Sequence, residues 1–122
     1  MSELSDALTG AGMVGIGAGQ AAAAHDAFGG SQMLVGGLLA ILGAQEAEKA
    51  AAWRIADIRA MQALLGDAAP AVGDGLTLTA LDTAWSLLSE ALIAHHAQVE
   101  AAGDLAADAA LLAFYRESCA RR

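Results

Sequence analysis

The chain has 122 residues and a formal net charge of −8, from 6 Lys and Arg against 14 Asp and Glu. Between Arg59 and Arg116 stand seven acids and no Lys or Arg, which excludes a basic face for nucleic acid. Hydrophobic residues make up 57% but aromatics only 4%, so Ala carries much of the apolar character; helix propensity is high and β-propensity low.

This length fits one core of three or four helices, so a single domain over residues 1–122 is expected. The single cysteine, Cys119, excludes an internal disulfide framework and a multi-cysteine zinc site. The N-terminus, MSELSDALTG, carries acids and no basic n-region. No secretory signal is therefore expected, and the location is cytoplasmic or within a particle.

From Ala7 to Gln45 the only formally charged side chain is Asp26, and ten of the fourteen glycines fall there. A soluble helix normally shows a charged face. This segment must therefore be buried in its own fold, buried in an assembly, or placed in lipid. It opens with GAGMVGIGAGQ, in which Gly10, Gly12 and Gly15 have the spacing of a dinucleotide-binding turn. That reading needs a hydrophobic strand before Gly10 and an acid about twenty residues on, and both are missing. The glycines instead suit packing. Ala11 to His25 reads as a helix on which Gly15, Gly19 and Ala23 form a small-residue stripe for close helix approach. Gly29 and Gly30 read as its end, with Ser31 capping the next helix.

A long helix follows, about 32–65. Its first half, Met33 to Leu42, is apolar on every side and reads as wholly buried; Leu34, Leu38 and Ile41 join Gly15, Gly19 and Ala23 as the expected interface with a partner chain. From 46 to 65 the helix is amphipathic, with Ile55, Ile58, Met61 and Leu65 on one face. Residues 66–75 hold the only proline and three glycines and read as a loop.

Thr79 with Asp82 reads as a capping signature, opening a helical hairpin over 79–120. Leu81, Trp85, Leu88, Leu92, His95 and Val99 alternate spacings of four and three, a bundle seam. Gly103 and Asp104 break the hairpin, and the last helix turns Leu105, Leu112, Tyr115 and Cys119 to one face. The three terminal arginines suit the negative end of a helix dipole, and Trp53 and Trp85 read as core fillers. The fold expected is all-α: a small bundle of three to four helices with a long central helix and a C-terminal antiparallel hairpin.

His95, His96 and Glu100 are the metal candidates, with His96 and Glu100 four apart on one helix face. The Glu-x-x-His pairs of a di-iron bundle are missing, and two ligands do not make a site. Neither a metal nor a cofactor is therefore expected. No nucleophile–base pair is placed by a readable spacing, so catalysis is not expected either. A Gly/Ala-rich apolar segment joined to the Ala-rich charged helix GAQEAEKAAAWRIADIRAMQ resembles the small internal or ring proteins of short-tailed phage virions, over about residues 7–65. Three functions compete: structural self-association through 7–45, insertion of 7–45 into a membrane, and ligand or metal binding by the bundle. The first is the primary expectation, with copies of itself or other subunits as partners.

Overall fold

The computed structural model describes residues 2–122 and is all-helical, with no strand among the described residues. Four α-helices follow in order: α1 (Glu3–Ala22), α2 (Ala27–Leu65), α3 (Leu78–Ala102) and α4 (Leu105–Arg121). The long central helix expected from the sequence is α2, at 39 residues. The chain divides into two compact units, Met1–Lys49 and Ala50–Arg122, close to the point where the sequence turns from apolar to amphipathic.

In the first unit, α1 is opened by Ser2, whose side chain accepts from the Ser5 N–H, and Glu3 and Asp6 sit in its first turn, where the dipole favours acids. Its end and the start of α2 differ from the sequence expectation. The α2 cap is Asp26, whose carboxylate accepts from the Gly29 N–H at 3.0 Å, not Ser31. Gly29 and Gly30 lie inside the first turn of α2 and do not end a helix. The reason is twofold: Asp reaches an orphan amide at the helix start, and Gly30 is needed for close packing against α1.

That packing is unusually tight. A Cβ on Gly19 would stand 2.6 Å from the Gly30 carbonyl oxygen, and one on Gly37 would stand 2.6 Å from the Gly12 carbonyl oxygen. Gly15 faces Gly37 and Met33 in the same seam. At the open end of this hairpin, Glu48 accepts from the Ser2 N–H at 2.6 Å and from the buried Ser5 hydroxyl.

In the second unit, the pairs Arg54–Asp82, Asp57–Trp85 and Met61–Ser89 are each 28 residues apart. A constant separation means that this part of α2 and α3 run parallel. The segment between them, 66–77, must therefore travel back along the helices. That explains its length, and its Ala69 and Val72 pack on the core as it passes. Thr77, not Thr79, caps α3, accepting from the Ala80 N–H at 3.2 Å. Gly103 ends α3 in the left-handed conformation at φ 67°, and Asp104 caps α4 by accepting from the Ala107 N–H.

The core of this unit joins Ile58, Met61 and Leu65 of α2 to Leu81, Leu88, Leu92 and Val99 of α3, and to Leu111 and Phe114 of α4. The α3 seam is largely the one its spacing predicts. Of the expected α4 face, Tyr115 packs against the core, but Leu111, Phe114 and Ser118 are the buried residues, whereas Leu112 is exposed, Leu105 is 82% exposed and Cys119 lies at the surface. The buried stripe lies about one residue from the expected one, because Phe114 is a large side chain and Ser118 has a buried partner in Asp57.

Candidate functional site

Two places in the molecule have a chemistry that their own fold does not use up. The first is the outer surface of the α1–α2 hairpin. Helix α2 turns Gly30, Gly37 and Ala44 inward, at intervals of seven. The opposite side therefore carries Phe28, Val35, Leu39 and Leu42, which are 74%, 53%, 62% and 59% exposed. Met33 and Leu38 are exposed as well, as are Met13 and Val14 on α1. The expectation that Met33–Leu42 is wholly buried is thus corrected for the chain by itself. Each helix of the hairpin has one neighbour within this unit, and glycine on the contact side leaves the large side chains outside.

The unit is inside out. Its buried residues on α1 are Ser5, Gly12 and Gly19, and its exposed ones include Leu, Val, Met and Phe. Of the expected interface residues, Gly15 and Gly19 meet α2 of the same chain, and Leu34 and Ile41 are half-buried against α1. Ala23 is exposed in the turn but its backbone abuts Gly30. Leu38 faces outward at 46% exposure. Among the described residues, the helix from Ala27 is the one long and apolar enough to cross a membrane by length and composition; its 18-residue window has a mean hydropathy of 1.5 and is 17% buried. Among the described residues, the charged side chains of this unit lie at the ends of the hairpin: Glu3, Asp6, Glu46, Glu48 and Lys49 at the open end and Asp26 at the turn.

The second place is a polar cluster where α3 meets α4. His96 Nε2 stands 3.0 Å from Asp108 Oδ1 and 3.7 Å from Glu100 Oε1. Its other ring nitrogen, Nδ1, is 3.3 Å from the Tyr115 hydroxyl. Burial, and then the charge of Glu100, raise the Tyr115 phenol above its ordinary value of 10.0. His95, the third sequence candidate, is half-buried elsewhere on α3 and takes no part. Asp108 was outside the sequence reading of this site. It lies twelve residues from His96, and only the tight turn at Gly103 folds it back.

A buried carboxylate, Asp57, also escaped the sequence reading. It is fully buried, accepting from Ser118 Oγ at 2.6 Å, Arg121 Nη1 at 2.6 Å and Trp85 Nε1 at 3.3 Å. Arg121 therefore has a specific partner beyond the helix dipole. Arg122 lies over the Trp53 and Trp85 rings, which meet edge to face at 6.2 Å. The signal was available: Asp57 falls on the helical face shared by Met61 and Leu65. Its hydrogen bonds are all to side chains of this unit, so it reads as a structural clasp. No protein-family model, no curated protein and no solved structure matches this chain.

Proposed function

We propose that this protein acts by inserting its N-terminal hairpin, residues 7–45, into a lipid bilayer, while the helices of the second unit stay in water. The observation that carries this reading is the inverted distribution of side chains in the hairpin, with glycine between the helices and Phe28, Val35, Leu39 and Leu42 outside. In water that arrangement leaves apolar area uncovered. In lipid it is the usual one, because helices there associate through small residues and turn large ones to the acyl chains. Residues 27–44 rise about 27 Å as a helix, close to the thickness of a hydrocarbon core. Within each helix the backbone hydrogen bonds are satisfied internally, as lipid requires.

Vesicle flotation tests this. The full chain is expected to float with phosphatidylcholine vesicles. Val35→Lys, near the middle of the apolar stretch, should cost about 3 kcal/mol of insertion, roughly a hundredfold in partitioning. Gln62→Lys in the second unit should leave flotation unchanged. A monodisperse monomer that stays in water and ignores the vesicles would overturn the reading.

The primary expectation from the sequence, self-association, is the second reading and has its own observation. Gly10, Gly17, Gly36 and Gly43 have open space where a Cβ would be, which leaves shallow surfaces for another helix. A discrete oligomer in water without lipid would put self-association in place of insertion.

A further inference from the structure

We propose that His96, Glu100 and Asp108 form a binding site for a divalent transition metal, with Zn2+ as the fitting ion. The inference concerns the second unit and is independent of what the hairpin does. It begins with convergence: one imidazole nitrogen and two carboxylate oxygens lie within 4.8 Å of one another. Ligand atoms bound about 2.1 Å from a zinc ion stand roughly 3.0–3.6 Å apart, depending on the angle at the metal. Here the two distances from Nε2 are 3.0 and 3.7 Å and the two carboxylate oxygens lie within 4.8 Å of each other, so rotation of the exposed Glu100 side chain is what closes the set around an ion.

The second argument is charge. Two carboxylates, Glu100 and Asp108, converge on one small surface, and a divalent cation balances them. The third is the far side of the ring. A metal-bound histidine needs its other N–H held by an acceptor, which fixes the tautomer and leaves the lone pair on the ligating nitrogen. The Tyr115 oxygen at 3.3 Å from Nδ1 is placed to accept that N–H, so Nε2 is the ligating atom. Tyr115 is thus a positioning residue, acting through His96.

The donor set also selects the ion. Imidazole favours Zn2+ and its neighbours, whereas Mg2+ and Ca2+ favour all-oxygen sites. Three protein ligands leave at least one position for water. Glu100 is mostly exposed, and its side chain forms the open edge of the site.

The test is calorimetric titration of the full chain with ZnCl2, in detergent micelles, with MgCl2 as comparison. Saturable binding of about one zinc per chain is expected, with no comparable heat from magnesium. His96→Ala and Asp108→Asn should each abolish saturable binding. Tyr115→Phe, which keeps all three ligands, should weaken it about tenfold. His95→Ala should leave it unchanged, and circular dichroism should show every variant still helical. Because Asp108→Asn preserves size and polarity, it keeps the test valid if His96→Ala fails to fold. Absence of saturable zinc binding, or binding untouched by both ligand variants, overturns the proposal. In the second outcome the ion is held elsewhere.

Discussion

Gly17 and Gly19 sit two residues apart on α1 and have opposite roles. A Cβ at Gly17 meets open space, whereas one at Gly19 stands 2.6 Å from a carbonyl oxygen and 2.8 Å from the Leu34 nitrogen. Gly17→Ala is therefore expected to stabilise the hairpin, by up to about 1 kcal/mol from helix propensity. Gly19→Leu should destabilise it by about 3 kcal/mol, since backbone cannot yield as a side-chain end can. Thermal melting of the two variants in detergent micelles checks both signs. At Asp57 the issue is charge. Asp57→Ala removes the shared acceptor of Ser118, Arg121 and Trp85 and should cost about 3 kcal/mol, read from urea unfolding of the second unit. Glu48 offers a pH-dependent counterpart. Hydrogen bonds from the Ser5 hydroxyl, and then from Ser2, hold its carboxyl at about 2, against an ordinary 4.5. A lowered carboxylate pKa stabilises the folded state above the ordinary value, and that contribution is lost as pH falls from 4.5 toward 2. Ser5→Ala should remove much of this acid sensitivity, measured by hairpin stability across the same range.

At the scale of elements, the helix starts decide where the hairpins turn. Asp26 is the acceptor for an otherwise orphan amide at the start of α2, and Thr77 does the same for α3. Replacing either with Ala should cost about 1 kcal/mol. The effect of Asp26→Ala is expected in the first unit and that of Thr77→Ala in the second, which hydrogen exchange of the adjoining amides would separate. Sequence spacing located α3 and its seam well, because Leu81, Leu88, Leu92 and Val99 outnumber any competing stripe. It did less well on α4, a short Ala-rich helix with apolar residues on several sides. There Leu112 and Leu111 compete, and the burial of the large Phe114 together with the Ser118–Asp57 hydrogen bond turns Leu111, Phe114 and Ser118 inward.

For the whole molecule, the main consequence is electrostatic. A net charge of −8, with Lys49 the single Lys or Arg of the first unit against five acids, gives the hairpin little cationic attraction to anionic headgroups. Insertion should therefore be stronger into neutral phosphatidylcholine than into vesicles rich in phosphatidylglycerol. Raising the salt should narrow the difference, because repulsion between the acidic protein and acidic lipid is screened. Flotation on the two lipid compositions at low and high salt measures this directly.

The sequence alone determined that the chain is helical, that α2 is long, that a break follows Leu65, where a 3-10 turn over Gly66–Ala68 leads into irregular backbone, and that residues 7–45 cannot present a charged face to water. Each follows from local properties: Ala-rich composition, a run of loop-forming residues, and the absence of charge over a long stretch. It also singled out His96 and Glu100, since four residues apart on a helix is a fixed geometry. Tertiary structure decided which atoms meet. The small-residue stripe of α1 could serve another chain or its own; the turn at Asp26 brings it against Gly30 and Gly37 of the same chain. That contact leaves the large apolar residues of α2 outside. Asp108 joins His96 only because Gly103 adopts a left-handed turn and reverses the chain. Asp57 is satisfied only because α4 returns Ser118 and Arg121 to it, more than sixty residues later. Helical periodicity fixes which residues of one helix share a face, but not which face of another helix they meet.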